Sequence, residues 1–573
     1  MSTCSTRPPG WSTTCSGPAP GIRVLATSRE PLSIAGEQVL PVPPLGRTDA
    51  VQLFIDRATA AAGRFEPSPA VDDVCRRLDG LPLAIELAAV RTRALSPEQI
   101  RDRLSDRFAL LTGGSRAALP RHRTLRTAIR WSFDLLTGDE RTLLTRLSVF
   151  AGRFTLDDAE AVCGATVDSL TALVEKSLVV REDTGYRLHE TMREYPRAEL
   201  EEAEALQERC ADYYLARCQE FGATGRTRLV PSLAWAGLEI DNIRAVLRAC
   251  LDRKDHARAT GIATSLIWFW VTRATTEGAR WLDELPGGHP WTYFARGFLG
   301  VLRNDPDAAT KALETGLRAA TGDVRSQSLA MAAIAAAMRG EPPNGLLDEA
   351  RRIASELDDP GTTLMTQQAT ALIGLIDGDP GTAARAAAEG VRVSRATGDL
   401  YSLGMMLMNQ GYAALRMGDL ATARTTLTEG LRIARDIDDR VAQAYLVGAL
   451  GCCAEPAVAA RLLGASERLR AEIGAGAHPS MAPTLAEAAA RLGTSGRLDR
   501  EAAIRLALGE TPAGLSRRET DVARLVTEGL SNQQIATRLF LSERTVESHI
   551  RNILTKLGFT TRTQIAAWQA AQG

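Results

Sequence analysis

The stretch RNDPDAATKALETGLRAATGD, beginning at Arg303, returns as DGDPGTAARAAAEGVRVSRATGD from Asp377 and as MGDLATARTTLTEGLRIARDIDD from Met417. A degenerate copy, RGEPPNGLLDEARRIASELDD, begins at Arg339, so successive copies start 36–40 residues apart. No other feature constrains the fold as much. A period of this length is one helical hairpin, which cannot bury its apolar face alone and must stack on its neighbours. Ala309, Ala383 and Ala421 take equivalent places in the copies, where small side chains would let helices approach closely. Residues 201–473 are therefore expected to be an all-helical solenoid. It is either a structural spacer or a concave surface on which a protein or small-molecule signal docks.

The chain has 573 residues, too many for one core, and three or more domains are expected. Its net charge of −1 requires any nucleic-acid surface to be local. The nine cysteines are scattered without metal-ligand spacing, and Cys452 and Cys453 are adjacent, so they read as reduced thiols used as small apolar residues. The longest apolar run, Ser265–Val271, falls far short of the roughly 20 residues of a membrane span. Residues 1–20 are rich in Ser, Thr, Pro and Gly with no apolar centre, and read as a disordered lead-in rather than a secretory signal. A cytoplasmic protein without a membrane partner is expected.

Ile22, Val24, Leu25 and Ala26 predict a short strand, and EQVLPVPPL a second extended stretch. Helices are predicted from Asp49 to Ala62 and from Val71 to Leu78, the latter stopped by Gly80. Pro82 stands in the first turn of the next helix, and Ser96 caps another with Pro97 at its first position. Residues 116–200 place Leu178–Val180 and Tyr186–Leu188 around a polar turn, a β-hairpin behind several helices, which is the outline of a winged helix. GAGAHPSMAP and GETPAG mark residues 474–511 as a linker with a helix and set off residues 512–573.

That last segment divides into four helices by its caps. Ser516 with Glu519, Ser531 with Gln534 and Thr561 with Gln564 have capping-box spacing, Ser542 caps the third helix, and Gly529 and Gly558 end helices. Two short helices joined by a tight turn form a helix-turn-helix. In the third helix Val546, Ile550, Ile553, Leu554 and Leu557 form one apolar stripe. His549 sits at its rim, as a packed or backbone-bonded histidine. Arg544, Glu547, Ser548, Arg551, Asn552 and Thr555 fall outside it and include side chains able to bond phosphates and base edges. Eight basic and five acidic residues give the segment from Pro512 a charge of +3. A solvated helix face would share these traits, but residues 515–569 also resemble the C-terminal DNA-binding domain of LuxR-type transcription regulators, carried by LSRRE and VARLVTEGLSNQQIATRLFLSERTVESHIRNILTKLG. The resemblance implies that the third helix enters the major groove of promoter DNA. Glu547, Ser548 and Arg551 then fall where that family reads bases, and Thr545, Asn552 and Lys556 where it meets phosphates. It also implies that the last helix, around Ile565, Ala566 and Trp568, dimerises the protein on a two-fold site.

VLATSREPL and GLPLAIELAA resemble two motifs of NB-ARC signalling ATPases. The resemblance puts Arg29 at the sensor arginine that approaches the γ-phosphate. Gly80, Leu81, Pro82 and Leu83 match the motif bordering the adenine. His189, in RLHETMREY, matches a histidine near the ADP β-phosphate. Tyr195-Pro196 departs from a continuing helix. A P-loop needs G-x-x-x-x-G-K-[ST], and none of the four lysines (Lys176, Lys254, Lys311, Lys556) follows a glycine. Residues 21–115 are therefore read as a truncated α/β nucleotide-binding remnant, with no ATPase activity and no cofactor; ATP or ADP would bind only with an upstream P-loop segment. No catalytic or metal constellation stands out. The expected fold is mainly α: the remnant, a winged helix, tetratricopeptide-like repeats and a four-helix helix-turn-helix domain. The expected function is sequence-specific DNA-binding transcription regulation; the alternatives are an ATP-dependent signalling switch and an interaction solenoid with a vestigial DNA domain.

Overall fold

Aspartate fixes the register of the repeats. In the computed structural model Asp305, Asp359, Asp379, Asp399, Asp419 and Asp439 each accept a hydrogen bond from the backbone N–H three residues on, and each opens a helix. The structure describes residues 37–104 and 130–572, apart from 39, 41, 131–132, 190–192, 194–202, 344, 475–477, 496–497, 511–514, 540, 558 and 560. The strand expected at Ile22–Ala26, Arg29, Tyr195-Pro196 and Gly558 lie outside them.

The chain divides into two compact units, Met1–Tyr214 with Leu238–Ala249, and Leu215–Gly237 with Cys250–Gly573. Among its described residues the first contains helices α1 (Arg47–Ala62), α2 (Ala70–Arg77), α3 (Pro82–Val90) and α4 (Pro97–Arg103). The described part of the expected α/β remnant is thus helical. EQVLPVPPL forms no strand among the described residues, because Pro41, Pro43 and Pro44 cannot donate to a ladder. Then come α5 (Gly138–Leu147), α6 (Leu156–Cys163) and α7 (Val167–Glu175), each opened by a threonine capping box. The expected hairpin follows as β1 (Val179–Glu182) and β2 (Gly185–Leu188), antiparallel with Val179 opposite Leu188. A Cβ on Gly185 would lie 2.6 Å from the Phe154 carbonyl oxygen, so glycine alone fits where the wing crosses that strand-like segment.

Helices α8 (Ala203–Thr224) and α9 (Leu229–Asp252) follow, and part of each belongs to the first unit. Within the first unit they bury a polar cluster. The Tyr214 hydroxyl and the Asn242 amide each donate to Glu239 Oε2 at 2.7 Å, and Tyr213 donates to Asp158 at 2.6 Å.

The second unit continues with α10 (His256–Ser265), α11 (Ile267–Arg273), α12 (Thr275–Glu284), α13 (Pro290–Leu302), α14 (Pro306–Leu317), α15 (Gly322–Met338), α16 (Leu346–Leu357) and α17 (Pro360–Ile376). It goes on through α18 (Pro380–Thr397), α19 (Leu400–Arg416), α20 (Leu420–Asp436), α21 (Arg440–Cys452) and α22 (Pro456–Glu472). From α13 onward each helix packs on the next, as a stack of hairpins requires. Glycine faces alanine where they cross: a Cβ on Gly300 would meet Ala309, and one on Gly374 would meet Ala383, at 3.0–3.4 Å. Ala309 and Ala383 are fully buried, as expected, but Ala421 is exposed and Ala423 takes the place. The cap sets the correct register, since each buried alanine stands four residues after its aspartate.

The segment expected to be a linker with a helix forms two, α23 (Ala482–Leu492) and α24 (Arg500–Leu508). Leu485, Ala488, Ala503 and Ile504 are buried there, and both helices pack on α21 and α22, so the helical stack extends beyond residue 473. The last four helices are α25 (Arg517–Thr527), α26 (Asn532–Leu539), α27 (Glu543–Leu557) and α28 (Arg562–Gln572).

Candidate nucleic-acid interface

All four helix starts read from the terminal segment are formed by the expected side chains. Ser516 and Glu519 exchange both bonds of a capping box, with the Ser516 N–H donating to the Glu519 carboxylate at 2.6 Å. The Ser531 N–H donates to Gln534 at 2.7 Å and the Thr561 N–H to Gln564 at 3.0 Å. The Ser542 hydroxyl accepts from the Thr545 N–H at 3.1 Å. Gly529 takes a φ of +79°, in the left-handed region glycine favours, and turns the chain from α25 to α26.

These helices close around Leu515, Val522, Leu525, Ile535, Val546, Ile553 and Ile565. Val546, Ile550 and Ile553 of α27 are buried, and Leu554 and Leu557 pack half-buried beside them, which is the predicted stripe. Arg544, Glu547, Ser548, Arg551, Asn552 and Lys556 are exposed, while Thr545 and His549 are half-buried. The Thr555 side chain lies outside the described residues. One helix thus anchors itself with one side and presents cations, a carboxylate, a hydroxyl and an amide on the other.

Two of the expected phosphate contacts have internal partners. The Thr545 hydroxyl is 2.7 Å from that of Ser542. Lys556 Nζ donates to Glu519 Oε2 at 2.7 Å, tying the last turn of α27 to the first turn of α25. Burial pushes the Glu519 carboxyl up, but the bonds from Lys556 and Ser516 outweigh it and leave the group below its ordinary value. Nothing local in the sequence announces a pair 37 residues apart. Arg562 is equally silent in the sequence: its guanidinium donates to the Leu530 carbonyl and to Asn532, fastening α28 to the turn before α26.

Replacing Glu519 by Ala removes a cap and leaves an ammonium without its carboxylate, at a cost of about 2 kcal/mol. The expected outcome is roughly 30-fold faster hydrogen exchange of the α25 and α27 amides in the full chain. Glu519→Gln keeps the box and loses only the ion pair, so its acceleration should be smaller; equal exchange in both variants would contradict the pairing.

Among the nucleotide-motif residues, Arg29 is outside the described residues, while Gly80 and His189 are brought near one another by Asp79. Asp79 lies 3.9 Å from His189 Nδ1 and 3.3 Å from an Arg187 nitrogen. Burial lowers the His189 pKa against the pull of Asp79. Gly80 has a φ of +64°, and a Cβ there would lie 2.5 Å from the Leu45 carbonyl oxygen. Leu81 precedes α3 as its N-cap and Pro82 is its first residue. Gly80 and Pro82 thus each meet a local demand of the backbone, a left-handed turn and a helix start.

Residues 513–569 match the family of bacterial regulatory proteins called the luxR family. The chain carries a LuxR-type helix-turn-helix domain. Residues 136–201 match a winged helix-turn-helix domain, in agreement with α5–α7 and the hairpin. A Mycobacterium tuberculosis protein named as an HTH-type transcriptional regulator is 35% identical over 450 residues, covering 74% of this chain and 48% of that protein. The chain thus spans about half the length of the curated relatives it matches first. The LuxR-type domain alone is similar to the M. tuberculosis DNA-binding transcriptional activator DevR/DosR, 45% identical over 56 residues, which are 10% of this chain and 26% of that protein. A Pyrococcus horikoshii signal-transduction ATPase of the STAND class with a tetratricopeptide repeat sensor covers 94% of this chain and 71% of its own, at 13% identity and a TM-score of 0.41, too distant to argue from. Among the described residues, no helix is long and apolar enough to cross a membrane.

Proposed function

We propose that this chain is a cytoplasmic, sequence-specific transcription regulator that acts through its LuxR-type domain. The observation that carries the reading is the division of α27 into a buried stripe and an exposed face bearing Arg544, Glu547, Ser548, Arg551 and Asn552. Inserted in the major groove, Arg551 is bidentate to a guanine, Glu547 accepts from a cytosine amine, and Ser548 reaches either. Arg544, Thr545 and Asn552 meet phosphates. Lys556 joins them only by leaving Glu519, so it ranks behind Arg544.

The domain binds as a homodimer through α28, whose partly buried Ala566 and Trp568 continue the apolar core toward the surface. Two copies then fit half-sites about one helical turn apart. No nucleotide hydrolysis is assigned to the chain, and the helical repeats carry the signal. Selection of the full chain on random DNA duplexes tests the reading. A two-fold related motif is expected, and no enriched motif after several rounds would contradict it.

A further inference from the structure

A partly open pocket, with about 60 Å³ in which the centre of a water-sized sphere can move, lies inside the second unit. Residues of α11, α13, α15, α17, α19 and α21, with Arg226 of the α8–α9 turn and the turn before α23, form its wall. The wall is mostly apolar with a few polar groups, the character of a small-molecule site. Six of the chain's ten methionines line it: Met331, Met365, Met405, Met406, Met408 and Met481. Their flexible, polarisable side chains adapt to a guest rather than defining a rigid core. One end is aromatic, with the Tyr401 ring 5.2 Å from Trp268 and 6.4 Å from Phe298.

The polar groups in the wall are unequally satisfied. Arg226 is engaged by Asp399 at 3.6 Å and by the Trp268 face at 5.1 Å. His478 bonds Ser480 at 2.8 Å, and burial pushes its pKa down to about 4, so it is neutral. Asp439 differs from Asp399, its counterpart one repeat earlier. Asp399 has Arg226 and the Ser402 hydroxyl, at 2.8 Å, as partners. Asp439 is 3% exposed and accepts only from main-chain N–H groups, Ala442 at 3.0 Å among them, with no ion-pair partner among the described residues. Burial pushes its carboxyl up to about 7. An apolar chamber whose one unpaired charge is a carboxylate selects a guest with an apolar body and a cationic head.

We propose that this pocket is a binding site for a small hydrophobic amine, its ammonium on Asp439 and its body among Trp268, Phe298, Tyr401 and the methionines. The inference extends the reading of the repeats as the signal-receiving segment and is tested without DNA, so its failure leaves the DNA-binding reading standing.

The test is calorimetric titration of the full chain with phenethylamine, 4-phenylbutylamine and octylamine, and with the alcohol and carboxylic acid matching each. At least one amine is expected to bind roughly ten-fold more tightly than its alcohol, and the acids not to bind. Asp439→Asn keeps a good helix cap, so the fold should persist by circular dichroism. It should lower the amine to the level of the alcohol and leave the alcohol unchanged. Met331→Trp, which fills the chamber, should abolish both. Equal affinity for amine and alcohol, an amine affinity unmoved by Asp439→Asn, or no binding by any of the three amines would overturn the proposal.

Discussion

Arg551→Ala is expected to weaken binding to the selected duplex by about 5- to 150-fold per half-site, the 1–3 kcal/mol that a bidentate base contact supplies. The residue is exposed on α27, one position past buried Ile550 and two before buried Ile553, so truncation touches no core. The loss should be confined to one base pair of each half-site: against duplexes varied there, the variant should stop discriminating. Arg544→Ala is the contrast. Removing a bond to phosphate weakens all sequences alike and lowers the slope of log affinity against log salt by about 1 per site. Anisotropy titrations at three salt concentrations separate the two. A uniform loss in Arg551→Ala would move that residue to the phosphates, and no loss in either variant would count against α27 as the DNA-reading helix.

The second large effect is in the polar cluster of the first unit. Glu239 is 2% exposed, and burial, with the charge of Asp158 adding to it, pushes its carboxyl up to about 7 against the hydrogen bonds from Asn242 and Tyr214. A carboxyl whose pKa is raised by folding stabilises fully below its unfolded value and loses that contribution as pH rises through the folded one. From an ordinary value of 4.5 to about 7, the contribution is at most about 3 kcal/mol. Glu239→Gln is permanently neutral. The unfolding free energy of the wild type minus that of Glu239→Gln should therefore fall steadily between pH 5 and pH 8. Asp439 is raised in the same sense in the other unit, but it is common to both proteins and cancels in the difference. A difference independent of pH would show that Glu239 is not held as the acid.

What is legible in the sequence is local. The serine and threonine caps of α25–α28 act over three residues, and the stripe of α27 over four, so both can be read without a fold. The repeat period survives because each copy must present the same face to the next. Features joining distant residues are not legible. Lys556 reads as a group free to meet a phosphate because its partner Glu519 stands a helix pair away. Ala421 reads as well as Ala423 because an alanine-rich run offers several registers, and only the cap at Asp419 chooses among them. The linker with one helix read over residues 474–511 holds a buried His478 and two packed helices, since composition weighs turn residues such as those of GAGAHPSMAP above the sparse apolar positions that anchor them.

One measurement bears most directly on the central claim that α27 reads DNA. Arg544, Glu547, Ser548 and Arg551 are replaced together by alanine, the strongest helix former, on an exposed face, so the melting curve of the full chain should not move. Titrated against the selected duplex and a scrambled one, the wild type should prefer the selected sequence by at least about 10³. The fourfold variant should bind both equally and weakly. A variant that melts like the wild type and keeps the preference would contradict the account.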